Sequence, residues 1–400
     1  MEQALYQLSE GWEWSNLTDV CTPSRKTVEP KPDEKYNYIA LENIESNTGR
    51  VINNIPTQGS EISSTKVGFK KGMVLYGKLR PYLNKVIVAK KNGIATTEII
   101  PFECSEAINA DFLAYFLRSQ YFVDLAMNNC SGARMPRATT KLFTKIAKIP
   151  LTSIDEQKRI VEKLDKIFTR IDIVIKHFQE SVALVDALFK STLSSLVCNE
   201  STQNEKLSLE ELGSFSGGGT PSKSKSEFWN GEILWVTPKD MKLPVITDSK
   251  LKITAEGVSG SSAKFIPARS ILIVARSGIL QHTLPVCIND TECTVNQDIK
   301  VFIPANKVCT EYVQYMLKGH ESFILSELVK GGVTVESLKY KEFQNFKFPV
   351  PSLTVQQEII KKLTSVSRLT DPLTTELNEK INYLKKLKAS ILDSAFKGQL

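Results

Sequence analysis

A glycine-rich segment in the second half of the chain carries residue types that bind nucleotide cofactors. Phe215-Ser216-Gly217-Gly218-Gly219 has the F-x-G-x-G pattern of adenine methyltransferases, in which the glycines let the backbone approach the cofactor. The residues that follow, 220–225, do not open an apolar helix, and the chain contains no N-P-P-Y-like motif. The same stretch is close to a phosphate-binding loop, but Ser222 stands where the second glycine is required, and its Cβ would fill the phosphate cradle. Both activities are therefore disfavoured.

Acidic residues near position 300 could hold a divalent cation. Asp290 together with Asp298-Ile299-Lys300 has the two acids and the lysine of a metal-dependent nuclease, which would bind Mg²⁺ and activate water. The corresponding residues of the first half, Glu98-Ile99-Ile100, lack the lysine, and acid-x-Lys triplets are frequent by chance. A nuclease remains an alternative, which substitution of Asp298 would inactivate.

Histidine and cysteine are too scattered to predict a metal centre or a Ser-His-Asp site. The histidines and cysteines are His177, His282, His320, Cys21, Cys104, Cys130, Cys198, Cys287, Cys293 and Cys309. No C-x-x-C pair occurs, so we expect reduced thiols and no metal ligands. We expect His177 to be an ordinary residue of a helix surface.

Composition indicates a globular protein of two to three domains. The 400 residues include 51 Lys and Arg, 44 Asp and Glu, and 42% hydrophobic residues, and the net charge is +7. This charge is too small to predict DNA binding by itself, so the clustering of the basic residues matters more. The N-terminus lacks a signal-peptide pattern, and no apolar run is long enough to span a membrane, so we expect a cytoplasmic protein without membrane contact.

The chain is an internal repeat with an offset of about 200 residues. Thr22-Pro23-Ser24-Arg25 recurs as Thr220-Pro221-Ser222-Lys223, and Ile149-Pro150-Leu151 recurs as Phe348-Pro349-Val350. Each half begins with short β-rich runs broken by Gly, Pro and Asn, with a helix near 110–127 in the first half. We predict a domain at 1–150, a long helix at 151–199, a second domain at 200–350 and a second long helix at 351–400.

Both predicted long helices carry a heptad pattern typical of a coiled coil. The predicted seam of the first is Ile160, Leu164, Ile167, Ile171, Val174, Phe178, Ser181, Val185, Leu188, Thr192 and Ser195, and that of the second is Ile359, Leu363, Val366, Thr370, Leu373, Leu377, Lys380, Leu384, Leu387, Ile391 and Ser394. Ser153 with Glu156, and Thr354 with Gln357, are predicted capping boxes. We expect Pro372 to kink or break the second helix and Gly398 to terminate it.

We therefore expect an α+β protein. Two similar globular domains are joined and separated by two long helices that form an antiparallel coiled coil, related by a pseudo-two-fold axis. The antiparallel direction is inferred from the duplication and the domain order, because the seam alone would also permit a parallel pair.

Three segments resemble the specificity (S) subunits of type I restriction-modification systems. The run Gly217-Gly218-Gly219-Thr220-Pro221-Ser222-Lys223, with Phe228-Trp229 after it, resembles the opening of a target recognition domain. The sequence from Ile149 to Val161 resembles the hinge segment at which the long helix begins in such subunits. The tail Ala395-Phe396-Lys397-Gly398-Gln399-Leu400 resembles their C-terminal end. The first half departs from this pattern, because Asp19-Val20-Cys21 precedes Thr22 in place of the three glycines.

The resemblance implies a non-catalytic reader of double-stranded DNA. Each target recognition domain would read one half of a split, asymmetric site, with the helix pair fixing the gap. The helices would gather two methyltransferase subunits and, in the complete enzyme, two restriction subunits that translocate DNA. The chain itself would hold no cofactor, because S-adenosylmethionine would belong to the methyltransferase partner, and ATP and Mg²⁺ to the restriction partner.

Basic segments and amide side chains supply the candidate DNA contacts. Lysine and arginine neutralise phosphates, while arginine, asparagine and glutamine can read base edges. The candidates are Thr22, Ser24, Arg25, Lys26, Lys78, Arg80, Tyr82, Asn84, Arg134, Arg137, Thr220, Ser222, Lys223, Lys225, Lys239, Arg276, Ser277, Gln281, His282 and Lys330. We treat Lys78-Leu79-Arg80 and Arg276-Ser277-Gly278 as equivalent, because each follows an apolar run. The alternative is a coiled-coil scaffold that organises partner proteins without reading DNA.

Overall fold

The structure is a computed structural model that describes residues 5–132, 134–198, 204–332 and 335–400. Contacts divide the chain into two compact units, one formed by residues up to 179 together with 378–400, and the other by 180–377. Both long helices contribute to both units. The predicted domain boundaries remain predictions, and residues 199–203 of the predicted polar connection lie outside the described residues.

The first unit contains short strands, short helices and parts of both long helices. Its strands are β1 (Glu13–Asn16), β2 (Cys21–Pro23), β3 (Thr27–Val28), β4 (Lys35–Tyr36), β5 (Tyr38–Ile39), β6 (Thr57–Gln58), β7 (Lys66–Phe69), β8 (Val74–Gly77), β9 (Val86–Val88), β10 (Gly93–Ala95), β11 (Ile99–Cys104), β12 (Cys130–Ser131), β13 (Arg137–Ala138) and β14 (Lys148–Leu151). Its α-helices are α1 (Leu17–Val20), α2 (Ala110–Arg118), α3 (Gln120–Asn128), the first part of α4 (Ile154–Val197) and the last part of α10 (Leu353–Ala395).

Two four-stranded sheets form the body of the first unit. Their orders are β2-β11-β8-β9 and β3-β7-β10-β5, and a core cluster that includes Phe69, Leu75 and Ile87 contains residues of both sheets. A larger core cluster joins the first sheet to α2, α3, and the ends of both long helices. Hydrophobic burial on both faces explains why strands such as β8 are apolar throughout.

The helix predicted near 110–127 is present as two helices. The Asn109 side chain caps α2 by accepting hydrogen bonds from the Asp111 and Phe112 N–H groups. Ser119 separates the helices and caps α3 by accepting from the Phe122 N–H at 3.2 Å. The break lets both helices bury apolar residues in the same core.

The second unit repeats this plan. Its strands are β15 (Glu205–Ser208), β16 (Gly213–Gly217), β17 (Trp229–Val236), β18 (Val245–Ile246), β19 (Leu251–Ile253), β20 (Ile271–Val274), β21 (Val286–Asn289), β22 (Thr294–Val295), β23 (Ile299–Pro304), β24 (Val329–Lys330), β25 (Ser337–Leu338) and β26 (Lys347–Val350), and its helices are the last part of α4, α5 (Leu209–Leu212), α6 (Ala255–Ser259), α7 (Thr310–Gly319), α8 (Glu321–Glu327), α9 (Tyr340–Asn345) and most of α10 (Leu353–Ala395). The sheet orders are β16-β23-β20-β21-β18 and β19-β17-β22. The order β16-β23-β20-β21 matches β2-β11-β8-β9 of the first unit, which confirms the internal repeat in three dimensions.

In each unit, segments of the two long helices run antiparallel. In the first unit Lys388 Nζ forms an ion pair with Asp172 at 2.6 Å, and Arg159 donates to the Leu400 carbonyl oxygen at 2.9 Å. The start of one helix therefore lies beside the end of the other. In the second unit the apolar residues Leu193 and Val197 share a core with Ile359 and Leu363.

The buried seam differs from the prediction at several positions. Val174 and Leu188 are exposed, whereas Ile175 is buried and Phe189 packs on the core. In α10, Leu373 is exposed and Ile381 is buried in place of Lys380. The predicted steps had a period of 3.5 residues, but a straight helix has 3.6 residues per turn, so the buried stripe moves ahead of the heptad positions.

The helix ends agree with the prediction only in part. Ser153 accepts from the Glu156 N–H at 3.3 Å, as expected of a cap. The predicted cap Thr354 is wrong, because α10 begins at Leu353 and Thr354 lies inside it. Gly398 has the expected left-handed backbone, with φ of 73°. Pro372 does not break α10, which runs through it as one helix.

A buried glutamine fastens each long helix to its globular body. Gln157 Oε1 accepts from the Asn109 N–H at 2.9 Å, and its Nε2 donates to the carbonyl oxygens of Ala107 and Thr152. Gln356 Oε1 accepts from the Cys309 N–H at 2.9 Å, and its Nε2 donates to the Pro351 carbonyl oxygen. Both glutamines occupy the fourth position of their helix and are buried.

Among the described residues, no helix is both long enough and apolar enough to cross a membrane.

We expect Gln157→Leu and Gln356→Leu to lower the free energy of unfolding of their own unit by about 2–4 kcal/mol, because each leaves buried N–H and C=O groups without partners. Hydrogen–deuterium exchange in the peptides containing Asn109 and Cys309 measures the two units separately. Gln179→Leu, an exposed change on α4, is the control. Unchanged exchange in both glutamine variants would contradict this role.

Candidate nucleic-acid interface

In the first unit, strand direction brings two predicted basic segments to the same end of a sheet. β2 and β8 lie on either side of β11 and both run antiparallel to it. They therefore leave the sheet where β11 begins, next to Glu98. The segment 24–26 follows β2, and the segment 78–80 follows β8.

A hairpin formed by β12 and β13 joins the same end. The Arg80 N–H donates to the Pro136 carbonyl oxygen at 2.7 Å, and the Ala138 N–H donates to the Lys78 carbonyl oxygen at 2.9 Å. The Lys78 N–H donates to the Glu98 carbonyl oxygen, also at 2.9 Å. The structure thus places the 78–80 segment, which is far from the hairpin in sequence, beside Pro136, Arg137 and Ala138. Arg134, between the two strands of the hairpin, is exposed.

The loop after Lys78 presents Arg80 and Tyr82 to solvent. Arg80 has a left-handed backbone with φ of 52°, which is uncommon for a residue with a Cβ. Hydrogen bonds hold this backbone on both sides, because the Arg80 N–H donates to Pro136 and the Arg80 carbonyl oxygen accepts from the Leu83 N–H at 2.8 Å. The Tyr82 side chain is 50% exposed. Asn84, however, is buried, and its Nδ2 donates to the Arg118 carbonyl oxygen at 2.8 Å. This geometry makes Asn84 a support of the loop and gives it no exposed face toward a ligand.

The four candidates in the N-terminal segment lie on and after β2. Thr22 is exposed within the strand, opposite Glu103. The Ser24 N–H donates to the Pro101 carbonyl oxygen at 2.7 Å, which continues the strand direction toward the start of β11. Arg25 and Lys26 are both exposed.

The second unit assembles the corresponding end of its sheet in the same way. β16 and β20 lie on either side of β23, with Gly217 opposite Lys300 and Val274 opposite Ile299. The N–H groups of Ala275 and Arg276 both donate to the Asp298 carbonyl oxygen, at 2.8 and 3.2 Å. Asp298 therefore takes the place that Glu98 has in the first unit.

The hairpin formed by β24 and β25 also repeats, with a one-residue correction to the predicted equivalence. The Ser277 N–H donates to the Glu336 carbonyl oxygen at 3.1 Å, as the Arg80 N–H donates to Pro136. Arg276 pairs with Ser337, as Leu79 pairs with Arg137. The segments are equivalent, but Lys78-Leu79-Arg80 corresponds to Ala275-Arg276-Ser277 and not to Arg276-Ser277-Gly278, so Ser277 is the counterpart of Arg80.

The glycine-rich segment is explained by close packing in the sheet. A Cβ on Gly218 would clash with the carbonyl oxygens of Val295 and Asn296. The Gly219 N–H donates to the Val295 carbonyl oxygen at 3.0 Å, and the Gly219 carbonyl oxygen accepts from Trp235 Nε1 at 2.9 Å. These backbone groups are used within the fold, which accounts for the glycines without a phosphate cradle.

Of the residues after the glycines, Thr220 has a contact at the same end of the unit. Thr220 hydrogen-bonds the Gln297 side chain, next to Asp298. Ser222 and Lys223 are exposed. Lys225 is also exposed, and its Nζ lies 4.8 Å from the centre of the Phe228 ring.

The remaining candidates are exposed on neighbouring loops. Lys239 follows β17, which runs parallel to β22 and so ends beside the residues that lead to Asp298. Gln281 donates to Glu336 of the hairpin, and His282 is exposed next to it. Lys330 lies on β24 directly opposite Ser337. The fold therefore brings the second-unit candidates to the end of the sheet marked by Asp298 or to loops joined to it.

Glu321 anchors the loop that carries Gln281 and His282. Its carboxylate accepts from the Leu284 N–H at 2.6 Å, the Thr283 hydroxyl at 2.7 Å and Lys318 Nζ at 2.9 Å. Burial by itself would raise the pKa of Glu321, but these hydrogen bonds together lower the pKa below its ordinary value. The charged form thus holds the loop in place.

Asp298 and Lys300 of the nuclease alternative each contact other side chains. Asp298 Oδ1 lies 3.4 Å from Arg276 Nε, and Asp298 Oδ2 accepts from Asn296 at 3.1 Å. Lys300 Nζ lies 5.0 Å from the centre of the Tyr340 ring. No cluster of three acidic, histidine or cysteine side chains suited to a metal occurs in the described parts of the chain.

Sequence reasoning missed the acids that accompany the arginines. Arg137 Nε donates to both carboxylate oxygens of Glu98, at 3.2 and 3.3 Å, and Arg276 pairs with Asp298. The sequence did match Glu98 with Asp298 as equivalent positions of the repeat, and this match was the one indication that the two acids have a shared role. Their partners could not be identified, because the arginine comes from a different segment in each unit.

We expect Glu321→Gln to lower the midpoint of thermal unfolding at pH 7 by roughly 2–4 °C, because a neutral amide accepts these hydrogen bonds less strongly. A carboxylate with a lowered pKa stabilises the fold above its unfolded value of 4.5, and this contribution is lost as the pH falls through the folded pKa. The difference between the two proteins should therefore disappear on acidification. Glu327→Gln, an exposed change on α8, is the control, and a difference that persists at low pH would refute the assignment.

Comparisons with known proteins agree with the architecture. The chain is 42% identical over 179 residues to the EcoR124I/EcoR124II specificity subunit of Escherichia coli, and this alignment covers 44% of each chain. It is 28% identical over 191 residues to the MjaIX specificity subunit of Methanocaldococcus jannaschii, covering 42% of that protein. The chain thus spans less than half the length of these two relatives. It is also 21% identical to the StySPI specificity subunit of Salmonella potsdam, with 98% of this chain and 90% of that protein covered.

Solved structures share the fold. A protein from a study of complex assembly and conformational transition of the type I R-M system superposes with a TM-score of 0.79 at 22% identity, covering 99% of this chain and 100% of that one. The HsdS subunit of Thermoanaerobacter tengcongensis has a TM-score of 0.51 at 22% identity, with both chains covered completely. Residues 9–180 and 202–383 match the family described as type I restriction modification DNA specificity domain. Because these two matches cover most of the chain, the protein belongs to that family, as its sequence motifs indicated.

Proposed function

We propose that this chain is the non-catalytic subunit that gives a type I restriction-modification enzyme its DNA specificity. Each unit reads one half of a split, asymmetric site. The observation that carries this proposal is the convergence of basic and amide side chains at equivalent ends of the two sheets. In the first unit the exposed Arg80 lies beside the hairpin of Arg137, and in the second Arg276 lies beside the hairpin of Lys330.

The chemistry of these ends suits DNA better than a small molecule. The groups are lysines, arginines and hydroxyls on exposed loops, which can neutralise phosphates and reach base edges. Rigid sheets hold the loops, so the contacts can be specific. The candidates named from the sequence remain proposals as individual contacts, and Asn84 is assigned to support of the loop because it is buried.

We further propose that two methyltransferase subunits bind the long helices. Exposed apolar residues occur there at positions related by the repeat: Val174 of α4 corresponds to Leu373 of α10, and Leu184 of α4 corresponds to Tyr383 of α10. Single exposed apolar residues are ordinary on protein surfaces, but a matched pair in each unit is expected if two copies of one partner bind.

The proposal assigns the chemistry to the partners. The methyltransferase subunits hold S-adenosylmethionine and methylate adenine, and two restriction subunits hold ATP and Mg²⁺ in the complete enzyme. This chain contributes the target site and the binding surfaces. Its relatives are named as specificity subunits, which supports a non-catalytic role.

A genome-wide map of modified bases tests the function directly. A split motif with methylated adenine should disappear when this gene is deleted and return when it is restored. An unchanged methylation pattern, with the methyltransferase subunits present and active, would favour the alternative of a scaffold without DNA readout.

We expect Arg80→Glu and Arg276→Glu each to abolish sequence-specific DNA binding by the complex, because reversal of charge at the sheet end repels phosphate. Assembly with the methyltransferase subunits should be unaffected. Lys307→Glu is a matched control, because Lys307 is exposed beyond the opposite end of β23. Gel-shift titrations with specific and unrelated DNA measure the effect, and unaltered binding in both arginine variants would favour the scaffold.

We expect the pair Leu184→Lys and Leu373→Lys to remove one methyltransferase subunit from the complex, because charged groups cannot be buried against an apolar partner surface without a large desolvation cost. Val174→Lys with Tyr383→Lys should remove the other. Native mass spectrometry counts the subunits. Ile55→Lys replaces an equally exposed apolar residue away from the helices and serves as the control. Two bound subunits in all variants would exclude these residues from the interface.

A further inference from the structure

One carboxylate at the same position of each unit holds one arginine. Glu98 directly precedes β11 and Asp298 directly precedes β23, at equivalent ends of the two sheets. Glu98 accepts from Arg137 Nε at 3.2 Å, and Asp298 Oδ1 lies 3.4 Å from Arg276 Nε. In both pairs the acid is the more buried partner. The side chain of Glu98 is 26% exposed and that of Arg137 42%, while the side chain of Asp298 is 24% exposed and that of Arg276 63%.

In each unit the loop after the central strand pairs with the hairpin, and the two arginines come from opposite sides of this pairing. In the first unit Arg137 lies on the hairpin opposite Leu79, and in the second Arg276 lies on the loop opposite Ser337. Residues directly opposite in an antiparallel pair have neighbouring Cβ atoms on the same face, so either segment can bring a side chain to the acid. The same acid–arginine pair is therefore built in two ways, because the two acids are equivalent in the repeat whereas the two arginines are not.

Stability alone does not account for this recurrence. An ion pair with so exposed an arginine contributes little to the free energy of unfolding, because water screens it and the long side chain loses freedom. What the two pairs share is the placement of a guanidinium at the end of the sheet where the other basic groups converge.

In both pairs Nε makes the contact with the acid, as a hydrogen bond in Arg137 and as an ion pair at 3.4 Å in Arg276, and the end of the guanidinium is free. Among the described residues, neither Arg137 nor Arg276 donates a hydrogen bond from its two Nη atoms. These atoms form a planar fork that matches the O6 and N7 acceptors of guanine in the major groove. A carboxylate that holds Nε reduces the side-chain freedom that must be lost on binding.

The neighbouring basic side chains differ in this respect. Lys78, Arg80 and Lys330 form no ion pair within the described parts of the chain. A cation that is not paired with an acid suits a phosphate, which needs charge and little directional precision. The acid thus distinguishes one arginine in each unit from the other basic groups around it.

We infer that Glu98 and Asp298 are positioning residues that hold Arg137 and Arg276 as guanine-reading forks, one in each half of the split DNA site. This inference rests on the proposed function. It adds the base that is recognised, guanine, the arginine that contacts it and the acid that orients the arginine. It predicts that each half-site contains a G·C pair. Replacing that pair with another base pair should weaken binding, and the loss should depend on Arg137 in one half-site and on Arg276 in the other.

The test uses the complex of this chain with its methyltransferase subunits and the DNA site found by methylation mapping. Glu98→Gln should reduce the preference for the G·C pair of one half-site roughly 10-fold, with the other half-site unaffected, and Asp298→Asn should do the reverse. Arg137→Lys keeps the charge, loses the fork and should match Glu98→Gln. Binding to unrelated DNA and its salt dependence should not fall in the two acid variants, because they retain every cation.

Three controls separate positioning from folding and from charge. Glu103→Gln and Glu292→Gln neutralise exposed acids elsewhere on each unit and should leave base preference unchanged. Lys78→Gln should weaken binding to all sequences and reduce the salt slope by about one. Moving the arginine to the other strand with Leu79→Arg and Arg137→Ser should restore preference lost in Arg137→Ser alone, because the fork again lies beside Glu98.

The outcomes distinguish this inference from the proposed function. Unchanged base preference in both acid variants, with a split site still recognised by the unaltered complex, overturns the positioning role and leaves the function standing. Half-sites without a discriminated G·C pair overturn the guanine assignment. Absence of any recognised site in the unaltered complex overturns the function and the inference together.

Discussion

The candidate interface depends on backbone hydrogen bonds to one carbonyl oxygen in each unit. The Lys78 N–H donates to the Glu98 carbonyl, and the N–H groups of Ala275 and Arg276 donate to the Asp298 carbonyl. These bonds hold the loop after a central strand against the residue that precedes the next one. The hairpins then pair with the loops, at Pro136 in one unit and Glu336 in the other. Because the backbone groups are fixed, side chains can vary on the exposed face without loss of the fold.

The duplication shows which features that frame requires. Both units retain the central strand order, the acidic residue before the middle strand and the glutamine at the fourth position of the long helix. The exposed residues at the end of the sheet differ, as the proposed reading of two different DNA half-sites requires. Arg80 has Ser277 as its counterpart, and the acid-bound arginine changes strand. The units thus share a scaffold and differ in the groups that the scaffold presents.

Sequence patterns predicted the features that repeat regularly. The duplication, the two long helices and the β-rich bodies could be predicted because they depend on hydrophobic periodicity and on similar sequence segments in the two halves. The exact seam was wrong at Val174 and Leu188, because heptad steps accumulate error against 3.6 residues per turn. The burial of Asn84 could not be predicted, since its partner is a carbonyl oxygen 34 residues away. The same limit hid the partners of Glu98 and Asp298, which depend on cross-strand pairing between distant segments.

The position of these acids is informative because a carboxylate near DNA is electrostatically costly. Glu98 and Asp298 lie where the proposal brings phosphate and base edges, and the net charge of +7 over 400 residues gives little excess to offset them. An acid in this place weakens binding to DNA of every sequence. It improves discrimination if it orients a side chain that reads a base. A subunit that must choose one site among many benefits from a high ratio of specific to non-specific affinity more than from strong binding. The recurrence of the acid in both units, each time with an arginine, is consistent with selection for that ratio.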